Sequence, residues 1–242
     1  MKTPSRMSWR TLRCTIGVTA LILLCQAAAA LQAATGPEQV AAEFEAFFLD
    51  RIAAENVTGA AFAIATSSGI VDTGAAGFTD SSRHQRVDEN TVFRVASVSK
   101  TFAAGLAGVL VQEGQFGWDD RVVDYVPGFR IKGDSSRVRI RHLLGQSTGL
   151  VPHAYDNLLE DGVPLEQIEQ RYRELSYICP PGECYSYQNS IFSLIEPVIE
   201  RSTAQSYARL MEEKIFRPLN MQTASIGYEA LVASHGGRFD WP

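Results

Sequence analysis

The chain has 242 residues, 45% of them apolar, which is enough for one well-buried domain or two small ones and too hydrophobic for disorder. Its formal charge is −5; removing Lys2, Arg6, Arg10 and Arg13, which share residues 1–30 with no acid, takes it to −9. An acidic remainder without a Lys/Arg cluster argues against a nucleic-acid or anionic-membrane partner.

Residues 1–30 have the three parts of an export signal: a basic stretch, an apolar run over residues 14–25, and small residues ending in Ala28-Ala29-Ala30. Cleavage after Ala30 is expected, giving a periplasmic or secreted protein with no stable membrane insertion. The alternative is an uncleaved anchor, but a spanning helix wants roughly twenty apolar residues. Leu24-Cys25 also resembles a lipoprotein signal, although Leu24 stands where such signals carry a small residue.

Pro37 at a first-turn position opens a helix in which Val40, Phe44, Phe47, Phe48 and Ile52 recur near the helical period; it ends near Asn56. Residues 58–67 (TGAAFAIATS) and 70–78 (IVDTGAAGF) then read as a β-hairpin turning at Ser68-Gly69, rich in small residues as strands lying under helices are. A polar loop, residues 79–90, leads to a helix over residues 97–113 stopped by Gly114. That helix is apolar nearly all round, so it is expected to be central and buried. Further helices are expected at residues 139–144, 165–175, 190–201 and 204–215 and near Tyr228. The plan is a strand-bearing N-terminal segment followed by a helical one, with no repeat or linker between them.

Ser97-Val98-Ser99-Lys100 is the first cluster with chemical content. On a helix, residues three apart share a face, and a serine at the helix start sits where unpaired N–H groups favour negative charge. A lysine beside it, its pKa lowered by burial, would be the nearest proton acceptor. The plain alternative is an N-cap serine with a solvated lysine one turn on; the apolar helix that Lys100 begins favours chemistry. Tyr187-Gln188-Asn189 is the second cluster: a phenol beside a lysine can shuttle a proton, and an Asn can hold a lysine or bind a carbonyl. Taken alone, it reads as a half-buried Tyr and a capping Asn.

Cys179 and Cys184 flank Pro-Pro-Gly and, in an oxidising compartment, read as a structural disulfide; a redox pair is spaced more closely and a zinc site needs two more ligands. His142 reads as a structural histidine, His84 lies in a polar loop, and His153 lies in a loop able to line a cleft. Asp119-Asp120 reads as the cap of a short helical turn. With no metal-ligand spacing and no glycine-rich phosphate loop, no metal or other cofactor is expected.

Four segments taken in order, FRVASVSKTF, RVRIRHLLGQSTGL, PPGECYSYQNSIFSLIEPVIE and IFRPLNMQTA, resemble segments of the serine β-lactamase-related superfamily. The similarity is to the branch with a Tyr in its second motif: class C β-lactamases, D-alanyl-D-alanine carboxypeptidases, D-aminopeptidases and esterases on that fold. It covers roughly residues 36–242. The resemblance implies an α/β (α+β) fold, an antiparallel sheet with a helical domain, and a serine hydrolase acting through an acyl-enzyme on small esters, β-lactams or peptidoglycan-like D-amino-acid peptides. In it Ser97 is acylated, Lys100 receives its proton, Tyr187 is general base and acid, and Asn189 orients Lys100 and the substrate; the Ser97 N–H supplies half of an oxyanion hole. The superfamily's third motif, Lys-Thr-Gly or His-x-Gly, lies on a late strand. His235-Gly236-Gly237 is a candidate, yet Gly-Gly among polar residues reads as a loop. Residues 31–242 therefore read as a partial domain whose C-terminal strands are absent, which leaves open a penicillin-binding-like protein with little turnover or an inactive fragment.

Overall fold

The computed structural model describes residues 36–82 and 84–234, which fall into two compact units, residues 36–91 and 92–234. The export signal expected at residues 1–30 and the His235-Gly236-Gly237 segment lie outside the described residues.

In the first unit, helix α1 (Pro37–Ala54) starts with Pro37 in its first turn, where a missing N–H costs nothing. It stops because Asn56 turns left-handed (φ 52°) and the Val57 N–H reaches back to the Ile52 carbonyl at 3.2 Å. Strands β1 (Gly59–Thr66) and β2 (Gly69–Gly77) pair antiparallel from Gly59–Gly77 to Thr66–Gly69, with an irregularity between Ile64 and Ala65. The expected apolar face of α1 is only partly used. Phe44 and Phe48 pack edge-on against Phe62 of β1, with centroids 5.0 and 4.9 Å away, whereas Val40 and Phe47 are exposed. One aromatic ring on a small-residue hairpin grips one stripe of the helix, not its whole apolar arc.

The second unit begins with a 3₁₀ turn (Ala96–Val98) that runs into helix α2 (Ser99–Gln112). Gly114, at φ 75°, ends α2, and the Gln115 N–H bonds the Leu110 carbonyl at 3.0 Å. Burial falls on Ala103, Leu106, Ala107 and Leu110, one face of α2; the helix is central, but its apolar residues do not bury all round. Short helices follow in chain order: α3 (Val122–Tyr125), α4 (Ile140–Leu144), α5 (Asp156–Glu160) and α6 (Leu165–Glu169), the last continued by a 3₁₀ turn (Gln170–Glu174). After a further 3₁₀ turn (Phe192–Leu194) come α7 (Ile195–Thr203), α8 (Tyr207–Met211) with a π turn (Glu212–Phe216), and α9 (Tyr228–Ser234). The helix expected from residue 204 begins later, because Ala204 is left-handed and Ser206 accepts the Arg209 N–H as the cap. Leu106, Leu110, Ile140, Leu143, Val198, Ile199 and Leu210 meet in one core, each burial worth about 1.5–3 kcal/mol. Asp120 does not cap a helix as expected: its carboxylate accepts from the Gly117 N–H at 2.8 Å and the Tyr125 hydroxyl at 2.7 Å, closing the preceding turn. Asp119 pairs with Arg141.

The loop after α4 is tied to the segment around the two cysteines through Gly149, whose carbonyl accepts the Ile178 N–H at 2.8 Å. Gly149 has φ 78°, and a Cβ there would collide with the Cys179 carbonyl oxygen. A left-handed non-glycine residue costs about 1–3 kcal/mol before any clash is counted. Gly149→Ala is therefore expected to destabilise the protein by about 2 kcal/mol or more, read as a fall in the urea midpoint at unchanged slope. An unchanged midpoint would show that this loop yields freely.

Candidate functional site

The approach to Ser97 is strained. Ala96 sits at φ 44°, a left-handed position that costs a non-glycine residue about 1–3 kcal/mol. Side chains brace the bend: the Ser99 hydroxyl donates to the Ala96 carbonyl at 2.6 Å, and the Thr101 hydroxyl to the Val98 carbonyl at 2.7 Å. Ser97 is thereby exposed in the 3₁₀ turn while Lys100, half-buried, occupies the first turn of α2. Their spacing of three brings Lys100 Nζ to 3.3 Å from Ser97 Oγ.

The second cluster arrives on a ribbon of chain whose residues alternate in burial. Ser186, Gln188 and Ser190 are buried, while Tyr187 and Asn189 lie toward Ser97 and Lys100. Three buried polar residues in a row of five are tolerable only if each is hydrogen-bonded, and each is. The Ser186 hydroxyl donates to the Leu150 carbonyl at 2.5 Å and the Ser190 hydroxyl to the Ala154 carbonyl at 2.5 Å. Gln188 accepts from the Thr148 hydroxyl at 2.6 Å and donates to the Val151 carbonyl at 2.9 Å. Gln146 brackets the Gln188 backbone, accepting its N–H at 2.9 Å and donating to its carbonyl at 3.1 Å. The His153 N–H completes the seam on the Tyr187 carbonyl at 2.9 Å.

Four side chains then meet. Tyr187 Oη lies 2.7 Å from Ser97 Oγ, and Lys100 donates to Asn189 Oδ1 at 2.7 Å. Lys100 Nζ also stands 5.0 Å from the centre of the Tyr187 ring and 5.3 Å from that of Phe192, within cation–π range. The phenol oxygen is nearer the Ser97 oxygen than the Lys100 ammonium is, 2.7 Å against 3.3 Å. Its pKa is lowered, first by hydrogen bonding to Lys100 and then to Ser97, with burial acting the other way. The geometry suits the removal of a proton from a hydroxyl while a neighbouring cation stabilises the phenolate.

Sequence reading missed what stands behind these four. Asp156, in the first turn of α5 and almost fully buried, accepts the backbone N–H groups of Asn189 and Ser190, both at 2.9 Å, and the Asn189 side-chain amide at 3.1 Å. Gln146 and Thr148 were missed as well; the one available signal was a polar run, Gly-Gln-Ser-Thr-Gly, wedged between apolar residues. Of the histidines, His142 is structural: Nδ1 accepts the Arg139 N–H at 3.1 Å, and burial, aided by Arg141 and Arg139, lowers its pKa. His153 borders the site, its ring 5.6 Å from that of Tyr187, and His84 Nδ1 lies 2.7 Å from the Ser82 hydroxyl in its loop. Cys179 and Cys184 are disulfide-bonded with Cα atoms 6.4 Å apart. Among the described residues, no group of three or more His, Cys, Asp and Glu is placed to hold a metal ion. No helix among them is long and apolar enough to cross a membrane.

Comparison with known proteins places this geometry. The sequence model of the family described as Beta-lactamase matches residues 44–235. Penicillin-binding protein 4* of Bacillus subtilis (strain 168) is 29% identical over 156 residues, covering 62% of this chain and 34% of its own length. Esterase EstB of Burkholderia gladioli is 28% identical over 199 residues, covering 76% of this chain and 50% of its own. The solved structure of the octameric penicillin-binding protein homologue from Pyrococcus abyssi superposes with a TM-score of 0.67 at 24% identity, over 78% of this chain and 45% of that one. The chain thus spans about a third to a half of the length of these curated relatives, and its fold is of the expected β-lactamase type.

The disulfide closes the loop that feeds the ribbon. Intact-mass and peptide mapping without reductant should find Cys179 joined to Cys184, and the double Cys→Ser variant should lose about 2–3 kcal/mol by loop-closure entropy. Two free thiols in protein recovered from the periplasm or medium would contradict this.

Proposed function

Since this chain belongs to the Beta-lactamase family, we propose that it is a serine hydrolase in which Ser97 is acylated by small esters, β-lactams or D-amino-acid peptides. The observation that carries the reading is the 2.7 Å contact between Ser97 Oγ and Tyr187 Oη beside Lys100. The Ser97 oxygen attacks the substrate carbonyl as its proton passes to the Tyr187 phenolate. Lys100, held by Asn189, stabilises that phenolate and relays charge, and the Ser97 N–H takes part of the oxyanion. Collapse of the tetrahedral intermediate expels the leaving group, which takes the proton back from Tyr187; water, deprotonated by the same phenolate, then attacks the acyl carbon, and the acid departs as Tyr187 returns that proton to Ser97 Oγ. Ester hydrolysis is favoured over efficient β-lactamase activity. The Cys179–Cys184 disulfide supports an exported protein, in keeping with the expected signal.

A fluorophosphonate or penicillin should label Ser97 alone. Ser97→Ala should abolish labelling and lower hydrolysis at least about 1,000-fold across a panel of p-nitrophenyl esters, a chromogenic cephalosporin and a D-Ala-D-Ala peptide. Labelling that survives in Ser97→Ala would remove the assignment.

The pH dependence follows from the direction of the Tyr187 shift. Its phenolate is the working form, so kcat/KM should fall as pH drops through a pKa below the usual tyrosine value of about 10. Tyr187→Phe should lose that limb along with about 100- to 10,000-fold in rate. A Tyr187→Phe profile that keeps the limb would assign the proton to another group.

A further inference from the structure

We propose that Asp156 is a positioning residue that fixes which end of the Asn189 carboxamide faces Lys100. The inference rests on the reading of Ser97, Lys100 and Tyr187 as the hydrolytic machinery. A carboxamide presents nearly the same shape when its oxygen and nitrogen are exchanged, so shape cannot choose between the two. Hydrogen bonding can: an ammonium only donates, and an ionised carboxylate only accepts. Asn189 lies between one of each. Its oxygen accepts from Lys100 at 2.7 Å, and its nitrogen donates to Asp156 Oδ2 at 3.1 Å.

The carboxylate is itself held so that it cannot turn away. Oδ1 accepts the Asn189 and Ser190 N–H groups, both at 2.9 Å, and Oδ2 lies 3.2 Å from His153 Nδ1. The Asp156 side chain is only 8% exposed, so water does not compete for these acceptors. This arrangement predicts what an isosteric change does. In Asp156→Asn the new amide must keep its oxygen on the two backbone N–H groups, because the opposite choice would set an NH₂ against both. Its nitrogen then meets the Asn189 nitrogen, donor against donor. His153 can accommodate by changing tautomer, but Asn189 can do so only by turning over, which points its own NH₂ at the Lys100 ammonium. Lys100 loses its acceptor, while the backbone bonds to residue 156 survive.

Exchanging the two residues should undo the damage. In the D156N/N189D double variant, the amide at 156 donates to the carboxylate at 189, whose other oxygen accepts from Lys100, and the net charge is unchanged. Ester hydrolysis is measured for wild type, D156N, N189D and the double variant at pH 8, with thermal midpoints for the same four proteins. D156N should fold and lose about ten- to a hundredfold in kcat/KM, the range for losing a hydrogen bond to a charged group. The double variant should recover at least about tenfold over D156N, and its thermal midpoint should exceed the additive expectation from the two single variants. Should D156N not fold, the same coupling is read from N189D, which sets two carboxylates face to face and should be slower and less stable than the double variant.

A D156N enzyme within twofold of wild type would overturn the proposal, as would a double variant no better than either single one in rate and additive in midpoint. Ser97→Ala run alongside tests the hydrolase reading separately. If hydrolysis depends on Ser97 but not on the pairing of 156 with 189, only the positioning role falls. If no protein turns over ester, the midpoint cycle still decides whether the two residues are coupled.

Discussion

Two stretches of chain some ninety residues apart have to meet within hydrogen-bond distance, and the constraint that makes this possible is the saturation of a buried polar ribbon. Ser186, Gln188 and Ser190 lie where an unpaired polar group would cost about 1–3 kcal/mol each, yet every one has a partner. Because those partners come from the loop that follows α4, from Gln146 to Ala154, the ribbon cannot slide without breaking several bonds at once. Tyr187 and Asn189 inherit that rigidity. A site whose reacting oxygens must stay within about 3 Å depends on such support, since small displacements are expensive in rate.

The other half of the site draws its rigidity from apolar packing. Helix α2 is anchored by Leu106 and Leu110 in the core, so Lys100 at its start projects from a fixed platform. The preceding Ala96 holds a left-handed backbone that local preference opposes, and the bonds from Ser99 and Thr101 help to retain it. Polar saturation fixes one partner and hydrophobic burial the other. The Lys100–Asn189 bond and the Ser97–Tyr187 contact are where the two kinds of order join.

Much of this was legible in the sequence, and the rest was illegible for physical reasons. The hairpin, the stop of α2 at Gly114 and the Ser97–Lys100 spacing all follow from short-range rules, and the structure has each of them. Tyr187 and Asn189 gained their weight only through resemblance, because a Tyr-Gln-Asn triplet taken alone reads as a half-buried Tyr and a capping Asn. Asp156, Gln146 and Thr148 act through partners more than thirty residues away, and a single carboxylate or amide in a loop looks like any solvated one. The helices α3 and α5, four and five residues long, are too short to display a period at all. The apolar face of α1 is real as a pattern but overextended as a prediction of burial, because periodicity says which residues share a face and not how much of it finds a partner.

Alternation along the ribbon gives the chain a parity. Odd-numbered residues from Tyr187 to Asn189 meet Ser97 and Lys100, and even-numbered ones from Ser186 to Ser190 belong to the interior. Gaining or losing one residue upstream would exchange the two sets, burying a phenol and an amide while turning the interior serines and glutamine outward. The loop pinned between Cys179 and Cys184 is where the count begins, closed covalently and fastened at Gly182 to the Ser147 carbonyl at 2.7 Å. Its length thus acts as a phase marker: a change of one in the number of residues would rewrite which face of the ribbon meets Ser97 and Lys100.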